Sequence, residues 1–219
     1  MLLPPPLRQE IDHRTIKLIV GIIAISLAAL TSAFAGSPIA SVSASYYEGG
    51  WSQAIFIGFL FAIGAFLLAY NGYSKADMVL SKVAAAAAFG IALFPCQCDN
   101  HTELLPHVHA VSASVMFLVL AYFCQGFYQR ARAKGHAQAN ARATIYALCG
   151  VAIVLSIVAL ACDGILGGRF TARIPRFTYF GETTGLVSFG VSWLTASRVL
   201  PGLTRQDERF SIFRSVNPA

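Results

Sequence analysis

The fourteen-residue stretch Cys96-Gln-Cys-Asp-Asn-His-Thr-Glu-Leu-Leu-Pro-His-Val-His109 concentrates the side chains best able to do chemistry in this sequence. It holds two cysteines, two acids and three histidines. Thiolate, imidazole and carboxylate groups together suit zinc or copper, although the spacing is not that of a zinc ribbon or a zinc protease. Zinc or copper is therefore a candidate cofactor. The candidate ligands are Cys96, Cys98, Asp99, His101, His107 and His109.

The same cysteines have a structural interpretation. Either Cys96 or Cys98 could form a disulfide with Cys162, because all three are expected at one end of the fold, on the side where disulfides persist. A polar loop between two membrane helices also needs polar side chains, with or without a metal. Both interpretations stay open on the sequence alone.

Two acids, Asp163 and Glu182, lie near the ends of otherwise apolar segments. An acid within a membrane span must be compensated and therefore marks a functional hypothesis. In the structural alternative, it pairs with the basic residues between these segments, Arg169, Arg173 and Arg176, which could instead contact lipid headgroups or an anionic ligand.

In the functional interpretation, the two acids converge with His109, and a carboxylate acts as general base for an activated water. Ser112 lies one turn from His109 on the same predicted helix and is a candidate for stabilising an oxyanion.

The elements that must position these residues are predicted to be membrane helices. Hydrophobic residues make up 56% of the chain and charged residues 12%, about half the share in soluble domains. Six continuous apolar segments are long enough to span a bilayer. They cover roughly 16–35, 53–71, 78–95, 108–128, 143–163 and 178–200. The predicted fold is all-α, an integral membrane bundle of six transmembrane helices.

The basic residues predict the orientation. All but three of the sixteen lysines and arginines lie on one predicted side: around the start of the first segment, in or beside the second and fourth connections, and around or after the end of the last segment. By the positive-inside rule, both termini are cytoplasmic. The expected organisation is a cytoplasmic segment 1–15, a transmembrane domain 16–200 and a cytoplasmic tail 201–219, in the bacterial inner membrane. The first apolar segment is long for a signal peptide and is expected to be retained. The net charge of +6 sits at segment ends, which argues against nucleic acid.

Several short motifs resemble those of domain-of-unknown-function family 998, six-helix prokaryotic membrane proteins similar to the Frag1/DRAM/Sfk1 family. The matching features are Ser43-Ala-Ser-Tyr-Tyr47, Gly72-Tyr-Ser-Lys-Ala-Asp77 with Leu80-Ser81, Leu93-Phe-Pro95, His109 with Ala113 and Phe117, and Phe180-Gly-Glu182 with Phe189-Gly-Val-Ser-Trp193. The resemblance covers roughly residues 16–197 and implies a six-helix fold, without an activity.

A more distant similarity is to alkaline-ceramidase-like membrane hydrolases, which carry Ser, Asp and three His around zinc. This similarity implies roles for Asp163, His107, His109 and a nearby Ser. A second helix with paired histidines is missing here.

Two functions follow as hypotheses. The first is a metal-dependent lipid hydrolase with an outward-facing site. The alternative is a non-catalytic lipid-binding regulator or an accessory subunit of a larger membrane complex. The expected partners are membrane lipids and either further copies of the chain, in a homo-oligomer, or the subunits of a larger membrane complex. A transporter ranks below both, because the segments are apolar through their middles.

Overall fold

The computed structural model describes residues 12–98, 101 and 105–209, and within these residues all regular structure is helical. Six long helices and one short helix follow each other along the chain. They are α1 (His13–Ala33), α2 (Gly50–Ala69), α3 (Lys75–Leu93), α4 (Val108–Arg132), α5 (Ala137–Ile165), α6 (Arg169–Arg173) and α7 (Phe177–Ala196). Short 3₁₀ turns lie at Ser43–Tyr46, Pro201–Leu203 and Gln206–Glu208.

Local capping explains where several helices begin. The Asp12 side chain accepts a hydrogen bond from the Arg14 amide at 2.8 Å, and Ser74 accepts one from the Asp77 amide at 3.0 Å. These caps satisfy amides that the first helical turn leaves without a partner. Each lies at the polar edge of an apolar segment, so it sets the point at which the chain becomes helical.

Helices α1 to α5 are long and apolar enough to cross a membrane, so the chain is a multi-pass membrane protein with a helical bundle. The sixth predicted span corresponds to α7, which has 20 residues but is not among these five. The reason is compositional, because Glu182 and several threonines and serines interrupt its apolar residues. A sixth membrane span, formed by α7, therefore remains a prediction.

The long helices pack in a ring. Each contacts its neighbours along the chain, and α7 packs against both α5 and α1. Gly21 of α1 faces Gly190 of α7, where a β-carbon added to Gly190 would lie 2.7 Å from the Gly21 carbonyl oxygen. Small residues at such crossings let helix backbones approach closely in lipid. Trp193 of α7 is fully buried among the aromatic rings of Tyr70, Phe123 and Phe189.

The ring has two ends with different chemistry. At one end lie the loops 34–49 and 166–176 and the first turn of α4, which contains His109; we call it the His109 end. The opposite end carries the start of α1 and the segment after α7, together with most of the basic residues; we call it the basic end.

Candidate functional site

Ser43, His109 and Glu182 form a hydrogen-bonded cluster at the His109 end. Ser43 Oγ lies 2.8 Å from Glu182 Oε1 and 3.0 Å from His109 Nε2. The second oxygen of Glu182 accepts hydrogen bonds from the amides of Val42 and Ser43, at 2.5 and 3.2 Å. His109 Nδ1 lies 2.8 Å from the carbonyl oxygen of Phe94.

Each member comes from a different part of the ring. Ser43 begins the 3₁₀ turn after α1, His109 lies in the first turn of α4, and Glu182 lies in the second turn of α7. The Glu182 carboxylate receives the amides at the start of the 3₁₀ turn, as an acidic cap does at a helix N-terminus. It thereby fixes the loop that carries Ser43 against the bundle.

The proton positions in the cluster are constrained. A carbonyl oxygen only accepts, so His109 Nδ1 must carry a proton. Two arrangements then satisfy the remaining contacts. With Glu182 ionised, Ser43 donates to Glu182 and a protonated His109 donates from Nε2 to Ser43. With both groups neutral, Glu182 donates to Ser43 and Ser43 donates to His109 Nε2. The two differ only by a shift of protons through the Ser43 hydroxyl.

The cluster lies on the wall of a cavity of about 360 Å³. The rest of its lining is largely apolar and comes from α2, α3, α4, α5 and α7, including Phe56, Leu60, Met116, Phe117, Leu160 and Leu186. Four small residues in the lining are exposed, namely Ala110 and Ser114 of α4 and Ala161 and Gly164 of α5.

These four residues place the mouth of the cavity between the first turns of α4 and the last turns of α5. Two apolar side chains lie next to this mouth. Val111, which follows Ala110, is 59% exposed, and Val158, one turn before Ala161, is 51% exposed. On a membrane helix such side chains contact lipid. The mouth of the cavity therefore lies beside exposed apolar side chains on the outer surface of the helix ring.

The predicted oxyanion residue Ser112 lies elsewhere. It points to α3, where a β-carbon added to Gly90 would lie 2.5 Å from Ser112 Oγ. Ser112 does not line the cavity, whereas Ser114 does. The serine beside His109 is Ser43, which stands in a loop 66 residues away. In the sequence analysis, Ser43 appears only within the motif Ser43-Ala-Ser-Tyr-Tyr47, to which no chemical role was assigned.

Asp163 does not join Glu182 and His109. Its carboxylate accepts hydrogen bonds from the amides of Phe170 and Thr171 and from the Thr171 hydroxyl. Asp163 therefore holds the loop between α5 and α7. The expected ion pair with the neighbouring arginines is not found in the part of the chain that is described.

The cysteines pair differently from the expectation. Cys96 forms a disulfide with Cys98, and Cys162 is a free, exposed thiol. A disulfide sulfur is not a thiolate ligand, so Cys96 and Cys98 do not serve as metal ligands in this state. Because the two cysteines are only two residues apart, their disulfide stabilises only the short turn after α3.

The predicted metal ligands are dispersed. His101 stacks on the ring of Tyr47 with 3.8 Å between ring centroids, while His107 precedes α4 in a left-handed conformation. Within residues 12–98, 101 and 105–209, no group of three or more His, Cys, Asp or Glu side chains is arranged to hold a metal ion. Asp99 lies outside the described residues.

The three arginines between α5 and α7 have separate environments. Arg176 donates to the carbonyl oxygen of Ile39 at 2.9 Å and lies over the ring of Tyr179 at 4.0 Å, so it attaches the loop after α1 to α7. Arg169 and Arg173 are exposed. Contact of these two with lipid headgroups or an anion remains a prediction.

Comparison with known proteins finds no matching family model, no matching curated protein and no matching solved structure. The resemblance to domain-of-unknown-function family 998 and the distant similarity to ceramidase-like hydrolases therefore stay predictions.

Proposed function

We propose that this protein is a lipid hydrolase of the bacterial inner membrane, with both termini in the cytoplasm. In this proposal a lipid acyl chain occupies the cavity, and an ester or amide bond at its end lies beside Ser43. One observation carries the proposal: Ser43 Oγ lies 3.0 Å from His109 Nε2 on the wall of a largely apolar cavity whose mouth lies beside exposed apolar side chains.

The cavity supports binding of a lipid chain. Small-molecule sites have volumes of about 300–1,000 Å³, are mostly apolar and carry a few converging polar groups. This cavity has about 360 Å³, and Ser43, His109 and Glu182 supply the polar groups. A mouth between α4 and α5 would let a chain enter from the bilayer without crossing water.

The cluster supports acyl transfer. A nucleophile and its base lie about 2.6–3.2 Å apart, with a third group orienting the base. In the arrangement with Glu182 and His109 both neutral, His109 Nε2 would accept the Ser43 proton while Ser43 Oγ forms a bond to the lipid carbonyl carbon. The Phe94 carbonyl oxygen holds Nδ1 and so keeps the ring in position. His109 would return the proton to the leaving oxygen or nitrogen as its bond to the carbonyl carbon breaks. Water would then give a proton to His109 and attack the acyl carbon. His109 would return that proton to Ser43 Oγ as the bond between Ser43 and the acyl group breaks.

This proposal assigns the chemistry to Ser43 and His109, where the sequence-based hypothesis gave a metal the central part. The change follows from the described residues, in which no three His, Cys, Asp or Glu side chains are arranged to hold a metal ion and Cys96 and Cys98 form a disulfide. Glu182 acts here as a positioning residue, through its bonds to the loop that carries Ser43.

A second candidate is favoured by one specific contact. Backbone amides next to a nucleophile often stabilise the oxyanion, but the amides of Val42 and Ser43 are occupied by Glu182 Oε2. If this contact persists with a lipid bound, the protein would bind lipid without cleaving it. It would then act as a lipid-binding regulator or an accessory subunit of a membrane complex.

One experiment separates the two candidates. Purified full-length protein, with Ser43→Ala, His109→Gln and the cavity control Ser114→Ala, is incubated with ester- and amide-linked membrane lipids. Hydrolysis is followed by mass spectrometry, and retained lipid by native mass measurement. The hydrolase proposal expects release of fatty acid by the wild type and by Ser114→Ala, with rates lower by about 10²–10⁴-fold in His109→Gln. Retained lipid without any hydrolysis would support the second candidate. If the protein neither retains lipid nor hydrolyses it, both candidates are contradicted.

A further inference from the structure

A second cavity lies at the basic end, at the opposite end of the ring from Ser43. It has a volume of about 260 Å³ and is lined by α1, the connection between α2 and α3, α4 and the segment after α7. Its lining contains five basic side chains and one acidic side chain. The basic ones are Arg14, Lys17, Arg130, Lys134 and Arg198, and the acid is Glu208. We call this cavity the basic pocket.

The single acid does not balance these charges. Glu208 is shared by Lys134, by Arg198 at 2.6 Å and by Arg142, a buried arginine, at 3.1 Å. Outside the lining, Asp77 pairs with Arg130 at 3.6 Å. The pocket therefore keeps a clear excess of positive charge that its described residues do not neutralise.

Lys17 distinguishes the pocket from an ordinary basic membrane surface. Lysines that set topology extend into water or snorkel to the headgroups. Lys17 is only 1% exposed, and its ammonium group donates one hydrogen bond, to the Tyr73 hydroxyl at 2.9 Å. It also lies over the rings of Tyr73 and Phe127, at 4.7 and 5.2 Å from their centroids.

An ammonium group has three donors. In the described part of the chain, two donors of Lys17 have no acceptor and no carboxylate pairs with it. Burying a charge in this condition is costly unless an anion is nearby. Lys17 thus lines the pocket, and two of its N–H donors are available to an anionic ligand.

We propose that the basic pocket binds a phosphate group. Arginine and lysine together are the usual protein ligands of phosphate, arginine through paired N–H groups and lysine as a concentrated charge. A phosphomonoester carries close to two negative charges at neutral pH, which suits a site with several uncompensated cations. The group would come either from the headgroup of an anionic phospholipid or from a soluble phosphate compound. Lys17 and Arg130 would contact it directly, and Glu208 would hold Arg198 and Lys134 at the edge of the site.

The test uses the full-length protein in lipid nanodiscs and measures binding in two arms. In the first, the discs contain phosphatidylcholine only, and inorganic phosphate or pyrophosphate is titrated. In the second, the discs contain phosphatidate, against discs in which phosphatidylglycerol supplies the same surface charge. Binding is read as a shift of the unfolding temperature and by native mass measurement. Each arm is repeated with Lys17→Met, Arg130→Gln and the control Arg132→Gln, an exposed arginine of the same helix outside the pocket.

Preferential binding of phosphatidate would identify a lipid headgroup as the source, and binding of phosphate or pyrophosphate would identify a soluble ligand. In either case Arg130→Gln should weaken binding by about tenfold or more, while Arg132→Gln should not. Arg130→Gln tests the proposal even if Lys17→Met does not fold. Binding in neither arm, or equal loss in Arg130→Gln and Arg132→Gln, would overturn it.

Discussion

Glu182 holds Ser43 through both of its carboxylate oxygens, since Oε2 accepts the Ser43 amide at 3.2 Å and Oε1 lies 2.8 Å from the Ser43 hydroxyl. The same carboxylate therefore fixes the backbone of the loop after α1 and orients the side chain that faces His109. A change at Glu182 should affect both the local structure and the chemistry of this site.

Glu182→Ala should release the loop, because the amides of Val42 and Ser43 lose their acceptor. Each buried donor left without a partner costs about 1–3 kcal/mol. We expect a lower unfolding temperature and faster hydrogen exchange at these two amides. Glu182→Gln keeps a carbonyl oxygen as acceptor and should retain more protection. Unchanged exchange in Glu182→Ala would show that the carboxylate does not hold the loop.

Gly190→Ala should weaken the packing of α1 against α7. The added β-carbon would lie 2.7 Å from the Gly21 carbonyl oxygen, so one helix must shift. Overpacking of this kind costs about 1–3 kcal/mol. The matched control is Gly58→Ala, a helical glycine with no atom within 4 Å of the added carbon. Thermal unfolding of both variants in the same detergent measures the difference, and equal stability would contradict this close approach.

The charged cluster around Glu208 should make stability depend on acid pH. Burial alone would raise the pKa of Glu208, but a hydrogen bond from Lys134 and the charges of Arg198, Lys134 and Arg142 lower it to about 2. A carboxyl group whose pKa is lowered in the folded state stabilises the fold at pH values above its unfolded-state pKa of about 4.3. This contribution should be lost as pH falls from about 5 towards 2.

The expected loss is on the order of 1–2 kcal/mol, because solvent screens a partly exposed cluster. Glu208→Gln should remove this part of the pH dependence. Asp207→Asn should not, since Asp207 is 72% exposed and, among the described residues, pairs only with Arg205. Equal pH profiles for wild type and Glu208→Gln would contradict the assignment. Unfolding temperature measured across this pH range is the relevant quantity.

The cysteines predict a labelling pattern. Under non-reducing conditions, a membrane-impermeant maleimide should modify Cys162 and leave Cys96 and Cys98 unmodified, because they form a disulfide. Reduction should free both thiols, and Cys98 should then be labelled more readily than Cys96, which is buried. Labelling of Cys162 in intact cells would place the His109 end outside the cytoplasm. Labelling only after the membrane is opened would reverse the proposed orientation, and a linkage from Cys162 to Cys96 would contradict the pairing.

The continuous apolar runs were enough to predict an all-helical membrane bundle, whereas the sixth span and the orientation stay predictions. The continuous apolar segments predicted the long helices. Where a polar residue caps a helix, the helix begins before the apolar segment, as in α5, which begins at Ala137. The polarity of α7 was harder to interpret, because some of its polar residues, such as Ser192 and Thr195, are buried inside the bundle.

The site was only partly predictable. Glu182 and His109 were recognisable, since a charged or titratable side chain at the end of an apolar helix needs a partner. Ser43 was not, because a serine in a loop has no period and its contact with Glu182 spans 139 residues. Ser112 has the correct spacing from His109 along the chain but lies on the helix face that meets Gly90.

The central claim is that Ser43 is a nucleophile activated by His109 at a lipid-binding cavity. Its most direct test is reaction with a long-chain alkyl fluorophosphonate, in which Ser43 Oγ would bond to phosphorus as fluoride leaves and His109 accepts the proton. The labelled peptide is then identified by mass spectrometry in wild type, Ser43→Ala, His109→Gln and Ser114→Ala. The account predicts modification of Ser43 in wild type and Ser114→Ala, and its loss in the other two variants. A wild-type protein that is folded but unlabelled, or a label that persists in Ser43→Ala, would contradict it.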